Sequence, residues 1–396
     1  MKRRHFIQLS SLAVVAGGAA YTLDRGIRYP SLGLELPVLP KSFLDRDTLI
    51  DHKDAIRVQT QTDQSRFRAN VPEPKFELHV KTARTIQLLI ENLSPKAQLQ
   101  VTGAKSSTET ASGLQRLVKL DLGSESRVLL QWTILSAENY RFAAIGDTGG
   151  GPELGWCIKR AAALGADFIL HLGDLNYRLE DYDLARANLL DSPIPIYVSI
   201  GNHDYRDGGI YYHDRFRALI GPLNNEFTLG GIRFLNIDTA NDFFPASSGH
   251  RGNFIQQLKI KDNVRDTVAF THRPMADPRP GDEHDIGGAG QIPWLASHLN
   301  RLNCKTLLAG HIHSKLEIEH EGIYNYIAGQ GLAIEDVIAE KSVAEILLGD
   351  VAPNQKVQFH WAPLLMPFNQ SRNLNDLSTQ ISPEKIARLK SNLPGQ

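Results

Sequence analysis

Side chains that can bind a metal ion follow five short apolar runs in the middle of the chain. The runs are residues 142–145, 168–172, 194–200, 267–271 and 305–309. The donors that follow them are Asp147, Asp174, Asn202, His272, His311 and His313. The first three donors are 27 and 28 residues apart, close to one strand-helix repeat of about 30 residues. Because the carboxyl ends of neighbouring parallel strands share one edge of a sheet, we expect the donors to converge there.

Glycine directly precedes four of these positions, at Gly146, Gly173, Gly201 and Gly310. A residue without a Cβ lets the backbone turn sharply and come close to a crowded group of ligands. A single histidine after a strand is usually a surface or core residue, but five successive strand ends that all carry donors favour a coordination site.

The ordered series resembles the calcineurin-like metallophosphoesterases and, within them, the purple acid phosphatases. The superfamily pattern is Asp-x-His, Gly-Asp, Gly-Asn-His-Asp/Glu, a lone His and Gly-His-x-His, and its counterpart here covers 167 residues. The purple acid subgroup replaces the first His by Gly and adds Tyr three residues after the second Asp. Gly149 and Tyr177 make both changes. Val268 lies four residues before His272, where the subgroup usually has three.

The resemblance implies two metal ions. The first would be bound by Asp147, Asp174, Tyr177 and His313. The second would be bound by Asn202, His272 and His311, with Asp174 bridging both. A first site rich in anionic oxygen, including a phenolate, favours Fe(III). The second site, with two imidazoles, an amide oxygen and the shared carboxylate, suits Fe(II), Zn(II) or Mn(II).

Two such ions can lower the pKa of a bound water and stabilise the attacking and leaving oxygens of an in-line displacement. The nucleophile would be metal-bound hydroxide, and the predicted activity is acid-phosphatase-like hydrolysis of phosphate monoesters. His203 is the predicted proton donor to the leaving group. Asp204 would either orient His203 or cap the following turn.

Residues 273–290 leave the site directly after His272 and include Arg273, Arg279 and His284. This segment could form a lid over a small phosphate-ester substrate. His284 is a candidate second acid or substrate contact, and a solvated loop histidine is the simpler alternative.

Two other functions are compatible with the same series of predicted ligands. A phosphodiesterase can be built on the same dinuclear centre, since the two activities differ in what surrounds the leaving group. A non-catalytic binding protein on a phosphatase scaffold would lack at least one ligand, and the sequence has the full predicted set.

The elements that position the donors indicate an α/β protein. Residues 138–365 are expected to form a sandwich of two mixed sheets flanked by helices, as the resemblance implies. Residues 56–136 show alternating polar and apolar residues and predict a small all-β sandwich of immunoglobulin or fibronectin type. Residues 21–55 are interpreted as a linker or extended arm, and 366–396 as a C-terminal tail.

Residues 1–20 resemble a twin-arginine export signal, with Arg3, Arg4 and Phe6 ahead of a short apolar run. We therefore expect export by the twin-arginine machinery to the periplasm or the extracellular space. An uncleaved signal would leave a membrane tether.

Composition narrows the class of partner. The 396 residues include 43 Lys and Arg and 44 Asp and Glu, for a net charge of −1. No basic surplus is available to bind a long polyanion, so no nucleic acid is expected. Two cysteines, Cys157 and Cys304, cannot build a metal-thiolate site, and buried free thiols are favoured over a pair.

Overall fold

A computed structural model describes most of the chain. The residues described are 41–58, 65–177, 181–207, 210–211, 213–241, 245–279, 284–286, 290–331 and 344–365. The predicted export signal, the first part of the predicted arm and the predicted C-terminal tail lie outside these residues. Among the described helices, none combines the length and the apolar character needed to span a bilayer.

The N-terminal region is built from two five-stranded sheets that share one apolar core. The first sheet has the order β1-β2-β5-β10-β7 and comprises β1 (Ser42–Asp45), β2 (Thr48–Asp51), β5 (Lys75–Val80), β10 (Ser126–Ile134) and β7 (Ala97–Thr102). The second has the order β3-β4-β6-β9-β8 and comprises β3 (Ala55–Arg57), β4 (Ser65–Ala69), β6 (Arg84–Glu91), β9 (Gln115–Leu122) and β8 (Ser106–Ser112). Alternate side chains enter the core because a strand has a period of two, as Phe76, Leu78 and Val80 show in β5.

The structure differs from the sequence interpretation where an arm was expected over residues 21–55. Within the described part of that segment, β1 and β2 are strands, and β2 pairs with β5 in antiparallel register. Thr48 and Ile50 of β2 point into the sandwich core and are 0% exposed. A strand of four residues shows only two alternations between buried and exposed side chains. This pattern is too short to be recognised in the sequence without the neighbouring strand.

The central region contains two mixed sheets. The first has the order β13-β12-β11-β22-β23 and comprises β13 (Ile196–Val198), β12 (Phe168–His171), β11 (Tyr140–Ile145), β22 (Glu345–Val351) and β23 (Gln358–Pro363). The second has the order β16-β17-β18-β19-β21-β20 and comprises β16 (Asn225–Leu229), β17 (Ile232–Asn236), β18 (Asp266–Phe270), β19 (Thr306–Ala309), β21 (Ile323–Ala328) and β20 (Lys315–His320). A separate two-stranded ribbon pairs β14 (Arg206–Asp207) with β15 (Ile210–Tyr211).

Helices cover the outer faces of these sheets. The described helices are α1 (Pro152–Ala163), α2 (Asp181–Leu190), α3 (Asn202–Tyr205), α4 (His213–Leu219), α5 (Gly249–Gln257) and α6 (Gln291–Arg301). Apolar residues of α1, α2 and α4 pack on the first sheet, and those of α5 and α6 pack on the second. The two sheets face each other across an aromatic core that includes Phe142, Phe168 and Phe234. The predicted α/β class with two mixed sheets flanked by helices is confirmed.

The N-terminal sandwich holds one edge of the central region through buried polar contacts. Asn92 accepts a hydrogen bond from the Ile196 N–H at 2.9 Å and donates one to the Ile196 carbonyl at 3.0 Å. The buried Arg68 donates to the carbonyls of Ile196 at 2.8 Å and Ile220 at 3.0 Å. Strand β13, which leads to Asn202, lies at the edge of its sheet. These contacts give the N–H and carbonyl of Ile196 in this strand their hydrogen-bond partners.

Candidate metal centre

The predicted ligands lie where parallel strands of the two sheets end. Strands β11, β12 and β13 lead to Asp147, Asp174 and Asn202, while β18 and β19 lead to the predicted histidine ligands. Asp147, Asp174 and His311 adopt the left-handed region, with φ of 61°, 53° and 66°. Non-glycine residues seldom adopt this conformation, and such strain is concentrated at functional sites.

One group of donors surrounds His272. Its Nε2 lies 2.8 Å from Asn202 Oδ1, 3.1 Å from His311 Nδ1 and 3.4 Å from Asp174 Oδ1. The ligand atoms of Asp174, His272 and His311 all lie within 4.8 Å of one another. This group contains the four residues expected at the second metal.

A second group surrounds His313. Its Nε2 lies 3.4 Å from Asp147 Oδ1 and 3.3 Å from the Tyr177 hydroxyl. The Asp147 side chain is 0% exposed, and its Oδ1 accepts no hydrogen bond from the described residues. The structure therefore brings together both predicted sets of ligands, with Asp174 and Asp147 close enough to interact.

The chemistry of these donors fits bound cations. Burial raises the pKa of Asp147, and both burial and the neighbouring Asp147 raise the pKa of Asp174. Burial also lowers the pKa of His272 and of His311, so both imidazoles are neutral with a lone pair available. Two buried carboxyl groups beside neutral imidazoles need nearby positive charge to ionise, and metal ions would supply it.

Hydrogen bonds to the backbone orient the donors. His272 Nδ1 lies 2.8 Å from the Leu172 carbonyl, which leaves Nε2 as the acceptor atom facing the site. Asp147 Oδ2 accepts from the His311 N–H at 2.9 Å, and Asp174 Oδ1 accepts from the His203 N–H at 2.9 Å.

The glycines before the donors make room for them. A Cβ on Gly173 would lie 2.5 Å from His272 Nδ1, and a Cβ on Gly310 would lie 2.5 Å from Asp147 Oδ2. Neither approach is possible for a real side chain. The close contact expected from the sequence is thus visible at both positions.

The Asp204 carboxylate contacts backbone N–H groups of two loops. Its buried carboxylate accepts from the Gly201 N–H at 2.8 Å, the Leu175 N–H at 3.2 Å and the Asn176 N–H at 3.0 Å. The residue therefore ties the loop after β12 to the loop after β13. Burial and the charge of Asp174 raise its pKa to about 7.

His203 lies beside the group of donors around His313. Its ring centroid is 4.7 Å from that of Tyr177, and the residue is half-buried. The predicted proton donor thus lies beside a predicted ligand of the first metal.

His284 also lies at the site. Its ring centroid is 5.3 Å from that of His311, and its Nδ1 is 3.2 Å from Asp277 Oδ2. The Asp277 carboxylate is 1% exposed and also accepts from Arg279 Nε at 3.0 Å. Sequence reasoning missed Asp277, because the signal is the conformation of a loop and not a periodic pattern.

Arg273 is a second residue whose position the sequence did not indicate. Its Nη1 lies 2.7 Å from His311 Nε2. Its place directly after a ligand was visible, but the direction of its side chain was not.

The remaining notable residues lie in the core. His171 contacts the Thr148 hydroxyl at 2.8 Å through Nε2. Cys157 and Cys304 are buried free thiols.

Comparison with known proteins identifies the region that carries the site. Residues 140–315 match the family described as calcineurin-like phosphoesterase. The chain therefore contains a calcineurin-like metallophosphoesterase domain. It is a metal-dependent hydrolase of phosphate esters. No curated protein matches the chain.

Several solved structures are similar to this chain. Purple acid phosphatase PPD1 from yellow lupin (Lupinus luteus) is 10% identical, with 78% of this chain and 72% of that chain covered and a TM-score of 0.45. A dimetal phosphatase from Danio rerio is 11% identical, with 57% and 96% covered and a TM-score of 0.41. PhoD is 10% identical, with 78% and 88% covered and a TM-score of 0.42.

Proposed function

We propose that this phosphoesterase hydrolyses phosphate monoesters at a dinuclear metal centre. The observation that carries the proposal is the pair of adjacent donor groups around His272 and His313. Asp174 contacts the first group, with its Oδ1 3.4 Å from His272 Nε2, and its charge interacts with Asp147 of the second.

The donors differ in chemistry, and this supports two different metals. Asp147, Asp174, Tyr177 and His313 would hold Fe(III), because two carboxylates and a phenolate are hard anionic ligands. Asp174, Asn202, His272 and His311 would hold Fe(II), Zn(II) or Mn(II). When bound, the ions would polarise the phosphoryl group and supply a water of lowered pKa.

The chain's own residues would handle the leaving group. His203 is positioned by its backbone N–H, which donates to Asp174, and by the contact of its ring with Tyr177. Its imidazole would donate a ring proton to the departing alkoxide oxygen. His284 would be a second donor, because Asp277 and Arg279 hold its ring near His311. Neither residue is among the predicted metal ligands.

A phosphodiesterase remains the second enzymatic candidate, since the same donors can serve it. A non-catalytic binding protein is disfavoured by the convergence of the predicted ligands. An aryl phosphate and the corresponding bis-aryl ester separate these functions when metal content is measured in the same preparation. Faster hydrolysis of the monoester supports the proposal, preference for the diester overturns it, and an inert protein with two bound metals favours the binding function.

Tyr177 offers a direct test of the iron assignment. A phenolate bound to Fe(III) produces a visible charge-transfer band, so the purified protein should be coloured. Tyr177→Phe should abolish the band and leave the thermal unfolding midpoint within a few degrees of the unchanged protein, because the hydroxyl makes its contact at the site and not in the core. A colourless, active protein that contains only zinc would contradict the Fe(III) assignment.

We also propose export, supported by Arg3 and Arg4 ahead of the apolar run. Cell fractionation of the full chain and of an Arg3→Lys/Arg4→Lys variant tests it. The unchanged chain should be found outside the cytoplasm and the variant inside it, and equal distribution of the two would contradict export by this route.

A further inference from the structure

The end of strand β6 in the N-terminal sandwich contacts two elements of the central region. Glu91 is the last residue of β6, and its side chain, 1% exposed, pairs with Arg186 of α2. Asn92 follows with a φ of 66° and is also buried. Its side-chain amide exchanges two hydrogen bonds with the backbone of Ile196 in β13, as a paired strand residue would. Two adjacent residues of the sandwich thus hold one helix and one edge strand.

Both of these elements lead to the candidate metal centre. Strand β13 ends four residues before Asn202. Helix α2 reaches the same loop through Tyr182, whose hydroxyl donates to the Asp204 carbonyl at 3.0 Å. The Asp204 carboxylate accepts from the N–H groups of Gly201 at 2.8 Å and Asn176 at 3.0 Å. The loops that follow β12 and β13, which carry predicted ligands, are therefore joined to each other and to α2.

The path from the sandwich to these loops is short and buried. Tyr182 and Arg186 are four residues apart, so the two contacts that α2 makes lie about one helical turn from each other. Tyr182 and Asp204 are both 0% exposed, and the Arg186 side chain is 12% exposed. Hydrogen bonds in such a low-dielectric environment are stronger than exposed ones and hold the joined groups in one arrangement.

We propose that Glu91 and Asn92 are positioning residues for the second metal, and that the sandwich forms part of the support of the metal centre. This inference rests on the two metal ions of the proposed function. The second metal is affected most, because its predicted ligand Asn202 follows the strand that Asn92 holds. The first metal keeps Asp147 and His313, which follow β11 and β19, strands that these two residues do not contact.

Three variants of the full-length chain test the assignment. Glu91→Gln keeps the shape of the side chain and removes the charge that pairs with Arg186. Asn92→Gly removes the amide, and glycine adopts the φ of this residue without strain. These two are the junction variants. Leu120→Ala is the matched control, because Leu120 is 0% exposed in the sandwich core and its truncation lowers stability without removing any of these hydrogen bonds.

The measurements are urea unfolding and the two dissociation constants for Zn(II), obtained on metal-free protein by competition with a chelator. An Asn202→Ala chain identifies the constant that belongs to the second site. We expect the Kd of the second site to rise about 10-fold in both junction variants, and that of the first site to change less than about 3-fold. The urea midpoint should fall in all three variants, while Leu120→Ala should keep both constants within about 2-fold of the unchanged chain. A purely structural role of Glu91 and Asn92 would lower the urea midpoint and leave the affinities unchanged.

Unchanged Zn(II) affinity in the junction variants would overturn the inference, as would an equal loss of affinity in Leu120→Ala or equal weakening of both sites. Should Asn92→Gly fail to fold, the isosteric Glu91→Gln decides alone. Failure of the proposed function has a different signature, because the unchanged chain would then prefer the diester or hydrolyse neither ester. The Zn(II) constants need no turnover and still decide the roles of Glu91 and Asn92 in that case. An unchanged chain that binds a single ion would overturn both.

Discussion

Gly173 tests whether close backbone approach is needed to hold His272 in place. Its φ is +93°, and a Cβ there would lie 2.5 Å from His272 Nδ1 and 2.8 Å from Gly201 Cα. Gly290 is a matched control, because its φ is +92° and a Cβ there would meet no atom of the described residues within 4 Å. The two Gly→Ala changes thus share backbone strain and differ in the clash.

The expected magnitudes follow from that difference. Left-handed backbone costs an Ala about 1–2 kcal/mol relative to Gly, so Gly290→Ala should lower the free energy of unfolding by that amount. Gly173→Ala has the same backbone cost and adds overpacking, which typically costs about 1–3 kcal/mol. Its free energy of unfolding should therefore fall by about 2–5 kcal/mol in total. The atom that this Cβ would meet belongs to the His272 ring, so His272 should be displaced and the second metal should bind more weakly.

The assay combines urea unfolding with metal analysis of the two variants. Gly290→Ala should retain the metal content of the unchanged protein, and Gly173→Ala should lose the less tightly bound ion. If the two variants were equally stable and retained equal metal, the argument that Gly173 makes room for a ligand would be refuted.

The remaining predictions concern a proton donor, a domain contact and acid stability. Asp277 positions His284, so Asp277→Asn should slow hydrolysis of an alkyl phosphate about 10-fold. Hydrolysis of an aryl phosphate, whose leaving group needs no proton, should stay nearly unchanged, and equal effects on both substrates would contradict this role of Asp277. Arg68→Met removes the Arg68 donor from the Ile220 carbonyl and leaves the Ile196 carbonyl with Asn92, so it should cost about 1–3 kcal/mol in urea unfolding, and a cost below about 0.5 kcal/mol would contradict the contact. Burial lowers the pKa of His171 to about 3, so stability should fall by about 1.4 kcal/mol per pH unit as pH drops below about 6.5, where only the unfolded chain gains the proton. His171→Gln should remove that part of the slope, and an unchanged slope would contradict it.

The convergence of the predicted donors could be anticipated from the sequence, because strand ends in an α/β sheet meet at one edge for topological reasons. Asp147, Asp174 and Asn202 needed only the spacing of their strands to be placed at one edge. Binding of metal by these residues stays a prediction until metal content is measured.

Other features depend on conformations that no local pattern encodes. Asp204 accepts from the backbone of a loop 28 and 29 residues away, which its neighbours in sequence do not reveal. Arg273 and Asp277 lie in a segment without periodicity, where side-chain direction follows from tertiary contacts. Strands β1 and β2 are each four residues long and are defined by pairing with β5 and with each other.

The central claim is that one shared carboxylate joins two metal sites in a phosphate monoesterase. The most direct measurement is the number and identity of metal ions per chain, compared between the unchanged protein and Asp174→Asn, alongside hydrolysis of an aryl phosphate. We expect two ions, one of them iron, in the active protein, and loss of both metal and activity in the variant. Two ions and full activity retained in Asp174→Asn, or an active protein free of metal, would contradict the claim.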